Sequence, residues 1–596
     1  MLLRIPVLLP FLLLFAAPAS AQEQWVVEAG NATLRLHSSR LEALGLEVGE
    51  VWETAGPAEA TGPAGPAGEP GWNFALDPSA GLSFRAVRGV FAGWMGGSLR
   101  MEGGFSLLTG AGKRVFFQPA LGPAPGGPAT SLVLHGGGPD APVVFDLTHA
   151  KIHFFPKAHV LEVIGMDVRV RPRWAQTQGR PDLGGQLVGG AGLVLQSRWT
   201  GGARPFVPPP SPPSAASAGV IDAQLFRLMS LSDLAHTGTF PNGDNGLSMA
   251  TTICNVGDTE IPWFAPMNEK HPMIVMNLYR IDGGRLEQIG MAWIKHTFFS
   301  TNLDQCATCQ NPFTGTKLGV NCSDTYGTDN NGDRRWLGPR SEVDPFQGTW
   351  NCTGSYFSDF QPDCVRRNNG SGLGPIAHRL EVLDSDLDRP GARFFYEAWY
   401  VVESDVDVFN SSGYREVAAN WNGSIWNFPN MGGKQPGPAI MEWGDVQSFA
   451  QPGTDGNVIV ASQATDLGNG SWHYEYAVYI FNFNREIRFF GVPAGPAVKI
   501  TNIGFRDVDQ DPLDDWTAVR KHSGVLWKTS TFQDDPAANS IKYGTLYNFW
   551  FDADSAPRDT KALLKPFRAG GAGSPAEYEA GIRGPEGNPS SLGRKI

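Results

Sequence analysis

The stretch Trp472-His473-Tyr474-Glu475-Tyr476-Ala477-Val478-Tyr479-Ile480 decides the fold class of this chain. Large apolar side chains occupy every second position of it: Trp472, Tyr474, Tyr476, Val478 and Ile480. A period of two matches the alternation of side chains along a β-strand. The pattern therefore predicts a sandwich strand that turns a large aromatic face toward the core.

Strand signals of the same kind lie on both sides of this stretch. Residues 273–280 and 286–294 flank Asp282-Gly283-Gly284, which is a strong hairpin signal. The run 394–402 is aromatic and β-branched, and 150–171 alternates with a period of two. We therefore expect a mostly β protein with two or three antiparallel β-sandwich or jelly-roll domains.

Helical signals are few. Ser39 and Glu42 form a capping box, and Gly45 is placed to end the short helix that follows. The segment 222–234 is the other stretch that reads as helical.

Proline-rich and glycine-rich segments predict the domain boundaries. Pro208, Pro209, Pro210, Pro212 and Pro213 predict a semi-rigid spacer, and the last thirty residues lack an apolar period. The predicted divisions are a signal peptide (1–21), an N-terminal β domain (22–200), a linker (201–219), a cysteine-containing β lobe (220–430), a C-terminal β-sandwich lobe (431–566) and a flexible tail (567–596).

The first residues predict export. Arg4 precedes the apolar run 5–15, and Ala19-Ser20-Ala21 is a small-residue cleavage site. No later run is long enough to span a bilayer, so we expect no membrane span after cleavage. The formal charge of −12 argues against a nucleic-acid partner. The expected location is secreted, periplasmic or on the cell surface.

Six cysteines fit that location: Cys254, Cys306, Cys309, Cys322, Cys352 and Cys364. An even number in an oxidising compartment favours three disulfides over a zinc site at 306–322. Six cysteines allow 15 pairings, and the sequence does not choose among them. Because 301–371 has little apolar periodicity, the bridges are expected to brace this segment.

Several phrases resemble a family of secreted bacterial proteins of unassigned activity. They are Gln288-Ile289-Gly290-Met291-Ala292-Trp293-Ile294-Lys295-His296, Leu318-Gly319-Val320-Asn321-Cys322-Ser323-Asp324, Leu337-Gly338-Pro339-Arg340-Ser341-Glu342-Val343, Trp472 to Val478, and Tyr543-Gly544-Thr545-Leu546-Tyr547-Asn548-Phe549. The resemblance covers about 220–566. It implies one recurring extracellular module and assigns no catalytic residue.

Two groups of aspartates suggest Ca²⁺. Carboxylates at alternate positions of a loop offer several oxygens to a hard cation. The candidate ligands are Asp507, Asp509 and Asp511 in one loop and Asp324, Asp329 and Asp333 in another. Solvated acidic turns are the alternative explanation.

Scattered histidines suggest a transition-metal alternative. A β-scaffold can collect histidines from different strands around copper or zinc. The candidates are His296, His271, His473 and His522. Ordinary hydrogen-bonded or exposed histidine is the competing explanation.

Eighteen tryptophans suggest a binding function. Exposed indoles can stack on sugar rings, and Trp421, Trp426 and Trp399 are the candidates. We therefore expect a secreted protein that binds an extracellular polysaccharide or surface polymer. The alternatives are a copper-type oxidoreductase and a glycoside hydrolase that uses Glu403, Asp405, Asp407 or Glu475. Nucleotide-binding, zinc-protease and serine-hydrolase motifs are missing, so the sequence leaves open whether the protein is an enzyme.

Overall fold

The computed structural model describes residues 22–53, 71–87, 89–109, 112–137, 141–202, 219–450, 455–509, 511–571 and 573–587. Strands account for 51% of these residues and helices for 7%, which confirms the mostly β fold class. The predicted signal peptide and most of the predicted linker lie outside these residues. Within them, no helix combines the length and apolarity needed to cross a membrane.

The N-terminal unit contains fourteen strands and two α-helices in its described residues. They are β1 (Glu23–Leu36), α1 (Ser38–Ala43), β2 (Glu47–Glu53), β3 (Gly71–Asp77), β4 (Ser83–Val87), β5 (Val90–Gly96), β6 (Leu99–Met101), β7 (Gly103–Thr109), β8 (Gly112–Phe117), β9 (Ala120–Pro123), β10 (Leu132–His135), β11 (Val143–Thr148), β12 (Lys151–Phe155), β13 (Val160–Val170), α2 (Pro172–Thr177) and β14 (Leu187–Gly202).

Eight of these strands form a closed antiparallel circuit. The order is β1-β3-β6-β9-β10-β11-β13-β14, and β14 returns to β1. The circuit closes because β14 is 16 residues long and pairs with both β13 and β1. Leu34, Leu121, Leu134 and Met166 fill its interior, so the sheet of this unit closes on itself around its core.

The middle unit contains seventeen strands and two short α-helices in its described residues. They are β15 (Ala223–Thr237), β16 (Asp244–Asn255), β17 (Ile261–Pro262), β18 (Met273–Asp282), β19 (Arg285–Met291), β20 (Ile294–His296), β21 (Lys317–Leu318), β22 (Ser323–Tyr326), α3 (Thr328–Asn331), β23 (Leu337–Gly338), β24 (Val343–Asp344), β25 (Thr349–Trp350), β26 (Leu380–Leu383), α4 (Asp384–Leu387), β27 (Arg393–Val401), β28 (Ser412–Val417), β29 (Asn420–Trp421), β30 (Trp426–Asn427) and β31 (Gln435–Pro436).

The segment that reads as helical, 222–234, is strand β15. Its buried leucines are spaced by three: Leu225, Leu228, Leu231 and Leu234. Its pairing with β16 contains three register shifts, which begin at Leu225, Leu228 and Asp233. Each bulge adds one residue to the strand, so a spacing of three keeps the leucines buried. The helix prediction was wrong because bulges imitate helical spacing.

The central strands β18 and β27 are buried on both faces. Met273, Val275 and Trp399 pack into the core shared with the C-terminal unit. Ile274 and Tyr400, at the neighbouring positions, pack into a separate core on the other side. Burial on two faces explains why both strands read as nearly continuous apolar runs.

The C-terminal unit consists of ten strands in its described residues. They are β32 (Val446–Ala450), β33 (Val458–Asp466), β34 (Trp472–Ile480), β35 (Ile487–Pro493), β36 (Ile500–Arg506), β37 (Thr517–Lys521), β38 (Gly524–Lys528), β39 (Thr545–Ala553), β40 (Arg558–Pro566) and β41 (Tyr578–Gly584). They form two five-stranded sheets, ordered β32-β33-β34-β39-β36 and β37-β38-β35-β40-β41. The aromatic face of β34 lies in the core, as its period predicted.

The predicted flexible tail is wrong between residues 578 and 584. These residues form β41, which pairs with β40 from Leu564 opposite Tyr578 onward. Tyr578, Ala580 and Ile582 are buried at alternate positions. A period of two is therefore present, although glycine and proline around it obscure the signal.

The six cysteines form three disulfides, as predicted. The pairs are Cys254–Cys306, Cys309–Cys322 and Cys352–Cys364. All three hold the segment between β20 and β26 or fix it to β16. Each bridge is expected to add roughly 2–4 kcal/mol of stability.

Arg340 joins the middle and C-terminal units. Its guanidinium donates to the carbonyl oxygens of Ala292 (2.8 Å), Met276 (3.1 Å) and Gly544 (3.0 Å) and to Asn277 Oδ1 (2.9 Å). Ala292, Arg340 and Gly544, which lie far apart in the sequence, therefore meet at this junction.

A buried carboxyl group lies beside Arg340. Glu397 accepts hydrogen bonds from the hydroxyls of Tyr279 (3.1 Å) and Tyr479 (2.8 Å) and from the backbone N–H of Ala439 (2.6 Å). Burial raises the pKa of Glu397. Polar groups thus fix how the C-terminal sandwich sits on the middle sheet.

The segment around α3 joins the middle unit to the N-terminal unit. Asp329 binds Arg35 (3.0 Å) and His37 (3.1 Å). Asp167 accepts hydrogen bonds from the backbone N–H groups of Thr328 (3.2 Å) and Asp329 (2.9 Å). Each unit thus supplies a carboxylate that binds groups of the other unit, and together these contacts form one polar junction.

Replacement of Arg340 tests the importance of its junction. Arg340→Met removes the guanidinium from four buried acceptors, of which the carbonyl oxygens of Met276 and Gly544 keep another donor. The free energy of unfolding should fall by about 2–3 kcal/mol because the other two acceptors lose the donor that they have here. Urea denaturation measures the change.

Arg393→Met is the matched control. Arg393 binds Glu416 and Glu442 at the surface, with 45% of its side chain exposed. Exposed ion pairs contribute less than about 1 kcal/mol. Equal losses in the two variants would contradict a special role for Arg340.

Candidate functional site

A loop closed by Cys352–Cys364 carries the candidate site. It contains a single 3₁₀ turn, Tyr356–Ser358, which the Ser355 side chain caps by accepting from the Ser358 N–H. The Phe360 N–H donates to the Ser355 carbonyl (2.9 Å), and the Gly354 N–H donates to the Gln361 carbonyl (2.8 Å). Disulfide and hydrogen bonds together give the loop one defined shape.

Two consecutive residues of this loop have left-handed backbone. Asp359 and Phe360 both have φ near 57°. This region is costly for a bulky side chain and is found mostly where function or surrounding structure imposes it. Phe360 is also 66% exposed, so the loop holds a large apolar ring in solvent.

Phe360 is the outer member of a row of four rings, which we call the aromatic surface: Phe360, Tyr356, Trp293 and His378. The ring centroids of Phe360 and Tyr356 are 6.4 Å apart, and those of Tyr356 and Trp293 are 5.0 Å apart. The His378 ring stacks on Trp293 at 3.5 Å and 9°. Burial and the charge of Arg334 lower the pKa of His378 to about 4, so it stacks as a neutral ring at neutral pH.

Phe357 anchors the loop from below. It is 1% exposed, and its ring lies 5.0 Å from that of His296. His296 also lies 4.5 Å from the Trp350 ring and is hydrogen-bonded to His271, with 2.9 Å between His271 Nε2 and His296 Nδ1. The aromatic surface therefore rests on a packed interior.

The structure brings together two of the four predicted metal-ligating histidines. Burial lowers the pKa of both His271 and His296, to about 3 for His271, so the pair is neutral. His473 contacts Glu475 and Asp552 instead, and His522 is exposed in the turn between β37 and β38. Among the described residues, neither of the groups that could hold a metal with three ligands includes the His271–His296 pair.

The predicted carboxylate pool for glycoside hydrolysis is divided. Glu475 lies on β34 and forms a bidentate ion pair with Arg285, at 2.8 and 2.9 Å. Glu403, Asp405 and Asp407 lie in the loop after β27, where Asp405 accepts from the Ala223 N–H (3.2 Å).

Two of the predicted stacking tryptophans do not present a ring to solvent. Trp399 is 1% exposed and packs against Phe481. Trp426 is 2% exposed, and its indole N–H donates to Asp384 (2.8 Å). Trp421 is partly buried and stacks on Phe240, with centroids 4.8 Å apart. The prediction of exposed stacking rings at Trp399 and Trp426 is therefore wrong, because both indoles are buried in the core.

The predicted calcium ligands Asp324, Asp329 and Asp333 already face cationic side chains. Asp324 pairs with Lys151, and Asp333 pairs with Arg335. Asp329 binds Arg35 and His37, as described above. These carboxylates are therefore part of the interior junction.

The other predicted calcium loop brings acidic groups together. Oxygens of Asp507, Asp509 and Asp514 lie within 4.8 Å of one another, whereas Asp511 is exposed and accepts from the Leu513 N–H. Burial and the charges of Asp509, Asp511 and Asp515 raise the pKa of Asp514.

A cleft of about 910 Å³ opens in the N-terminal unit. Its lining is mostly aliphatic, with Trp72 at one side and Glu42 and Glu47 among the few charged groups.

Comparisons with known proteins give little. No protein-family model matches this chain, and no curated protein matches it in sequence. A solved structure of the serine-rich repeat adhesion glycoprotein Srr1 from Streptococcus agalactiae matches with 10% identity. The match covers 57% of this chain and 89% of that chain, with a TM-score of 0.16. A TM-score this low supports no conclusion about fold or function.

The acidic loop tests the calcium prediction. Millimolar Ca²⁺ should raise the thermal unfolding temperature of the wild type, because a cation offsets the repulsion among clustered carboxylates. Differential scanning fluorimetry measures the shift.

Asp509→Asn/Asp514→Asn is the comparison variant. Without calcium it should unfold at a higher temperature than the wild type, and calcium should shift it less. A wild type that does not respond to calcium would contradict the prediction.

His473 makes the stability of the C-terminal unit depend on pH. Its hydrogen bond to Glu475 is the largest cause of its raised pKa, and a hydrogen bond to Asp552 adds to it. A raised folded-state pKa adds stability that is fully present below the unfolded value of about 6.5 and is lost as the pH rises through the folded value.

As the pH rises from about 6.5 through the folded-state pKa of His473, the free energy of unfolding of the wild type should therefore fall more than that of His473→Gln. Urea titrations at a series of pH values measure both. His522→Gln is the control, and the prediction fails if its pH profile matches that of His473→Gln.

Proposed function

We propose that this protein is a secreted binding protein that engages an extracellular polymer, specifically a glycan, through the aromatic surface. The observation that carries the proposal is Phe360, a 66% exposed ring held in left-handed backbone on a disulfide-closed loop. A protein gains nothing in stability from holding an apolar ring in water, whereas a ligand gains a rigid apolar face.

The surroundings of the aromatic surface support a sugar ligand. Sugar rings present apolar C–H faces edged by hydroxyls, so they pair with aromatic rings that have polar groups beside them. Asp359 is exposed next to Phe360, and the side chain of Asn368 lies near Tyr356. Asp363 and Arg367 form a bidentate ion pair (2.7 and 2.8 Å) within the same segment.

The three disulfides support an extracellular location. Disulfides form and persist in oxidising compartments and are rare in the cytosol. One of them closes the loop that bears Phe360. The predicted signal for export agrees with this chemistry.

Glycan retention tests the proposal. Phe360→Ala should lower affinity for a retained polysaccharide by about 2- to 12-fold, the range expected for one aromatic contact. Affinity electrophoresis of the full chain through gels containing defined soluble polysaccharides measures the change. Because Phe360 is largely exposed, the variant should keep the wild-type unfolding temperature.

Two variants control the experiment. Met431→Ala removes a residue of similar exposure, 64%, outside the aromatic surface and should bind as the wild type does. Trp72→Ala alters the N-terminal cleft. The proposal is overturned if no polysaccharide is retained, or if retention depends on Trp72 and not on Phe360.

A further inference from the structure

Lys295 is a lysine buried in the middle unit. It is 0% exposed on strand β20, and its Nζ lies 5.1 Å from the centre of the Phe298 ring and 5.8 Å from that of Tyr326. Burial lowers its pKa well below the ordinary value, outweighing the nearby charges of Asp333 and Asp329. A desolvated lysine without its proton is a nucleophile.

Asn330 is the partner of this amine. Nζ of Lys295 donates to the backbone carbonyl of Asn330 (2.6 Å) and to its side-chain Oδ1 (2.9 Å). Asn330 is 2% exposed, and its Nδ2 finds no hydrogen-bond partner among the described residues. The backbone of Gly165 approaches this amide closely, since a Cβ added at Gly165 would lie 2.5 Å from Nδ2.

Lys151 is also a buried lysine near this site, but its hydrogen-bond partner differs from that of Lys295. Its Nζ pairs with the carboxylate of Asp324, which holds it as an ion pair. Lys295 instead meets a neutral carboxamide whose nitrogen is unpaired. Lys151 and Asp324 therefore form a structural ion pair, whereas Lys295 and Asn330 are two neutral groups placed close enough to react.

We propose that Lys295 and Asn330 become joined by an amide bond between their side chains. The Lys295 Nζ lone pair attacks Cγ of Asn330, and the Cγ–Nδ2 bond breaks. The proton lost by Nζ leaves with Nδ2 as ammonia. Nothing is oxidised or reduced, and no co-reactant is required.

The bond would tie β20 to α3. Helix α3 carries the polar junction with the N-terminal unit, and β20 pairs with β23 at the edge of the segment that holds the aromatic surface. Covalent bracing by disulfides would thus be extended to a position where the chain has no cysteine. A loop that bears an extracellular ligand site would resist local unfolding and proteolysis.

Mass spectrometry of the purified full chain tests the inference. After reduction and alkylation, the intact mass should be lower than the sequence mass of the mature chain by one ammonia. Trypsin should release residues 286–317 joined to residues 318–334, with no cleavage after Lys295. Reduction must come first, because Cys309–Cys322 links the same two peptides.

Variants separate the possible results. Lys295→Met and Asn330→Ala should each restore the full mass, and Asn330→Ala should release the peptide that ends at Lys295. Asn330→Asp should give the same cross-linked peptide with loss of water instead of ammonia. A wild type of full mass overturns the inference, whether or not the variants fold. A wild type that lacks one water, with the link at Lys151 and Asp324, overturns it as well.

Discussion

Burial of the central strands on both faces is the constraint on which the rest of this structure depends. Strands β18 and β27 lie side by side, and their alternate residues enter two separate cores. Neither strand can shift by one residue without moving polar groups such as Asn277 and Glu397 into the wrong core. Since Glu397 must meet Tyr279 and Tyr479 to be buried at low cost, the register of the sheet also fixes where the C-terminal sandwich docks.

The junctions between the units use polar contacts, and this makes the arrangement specific. Arg340 gains its acceptor at Gly544 only when the C-terminal unit docks on the middle sheet, and Asp329 reaches Arg35 only when the N-terminal unit is in place. Buried polar contacts of this kind add little net stability, because the groups lose their hydration when they are buried. An arrangement that leaves such a group without its partner is strongly destabilised. The segment between β20 and β26 is therefore held by fixed neighbours as well as by three disulfides. An exposed ring on such a segment has a defined direction, which a binding surface requires.

The aromatic surface shows why composition was an incomplete guide to the site. The many tryptophans near loops predicted binding at Trp421 and Trp426, yet the indole of Trp426 is buried and donates a hydrogen bond to Asp384. The residue that does face solvent is Phe360, which sits between paired cysteines. Three aromatic residues, Tyr356, Phe357 and Phe360, lie among the eleven residues between Cys352 and Cys364, and this cluster was visible in the sequence. The exposed orientation of Phe360 follows from the left-handed backbone at Asp359 and Phe360, and the residue types of the loop do not predict that conformation.

By itself the sequence determined the strand-rich class, the aromatic core of β34 and the presence of disulfides, because period-two alternation and an even cysteine count are local properties. It did not determine that β15 is a bulged strand, that β41 completes a sheet, or that β14 closes a circuit, because each depends on a partner strand distant in the chain. The same holds for the site. Burial of Lys295 against Asn330 and the row of rings from Phe360 to His378 exist only after segments far apart in sequence have packed together, and packing rather than residue type decides which polar groups lose water.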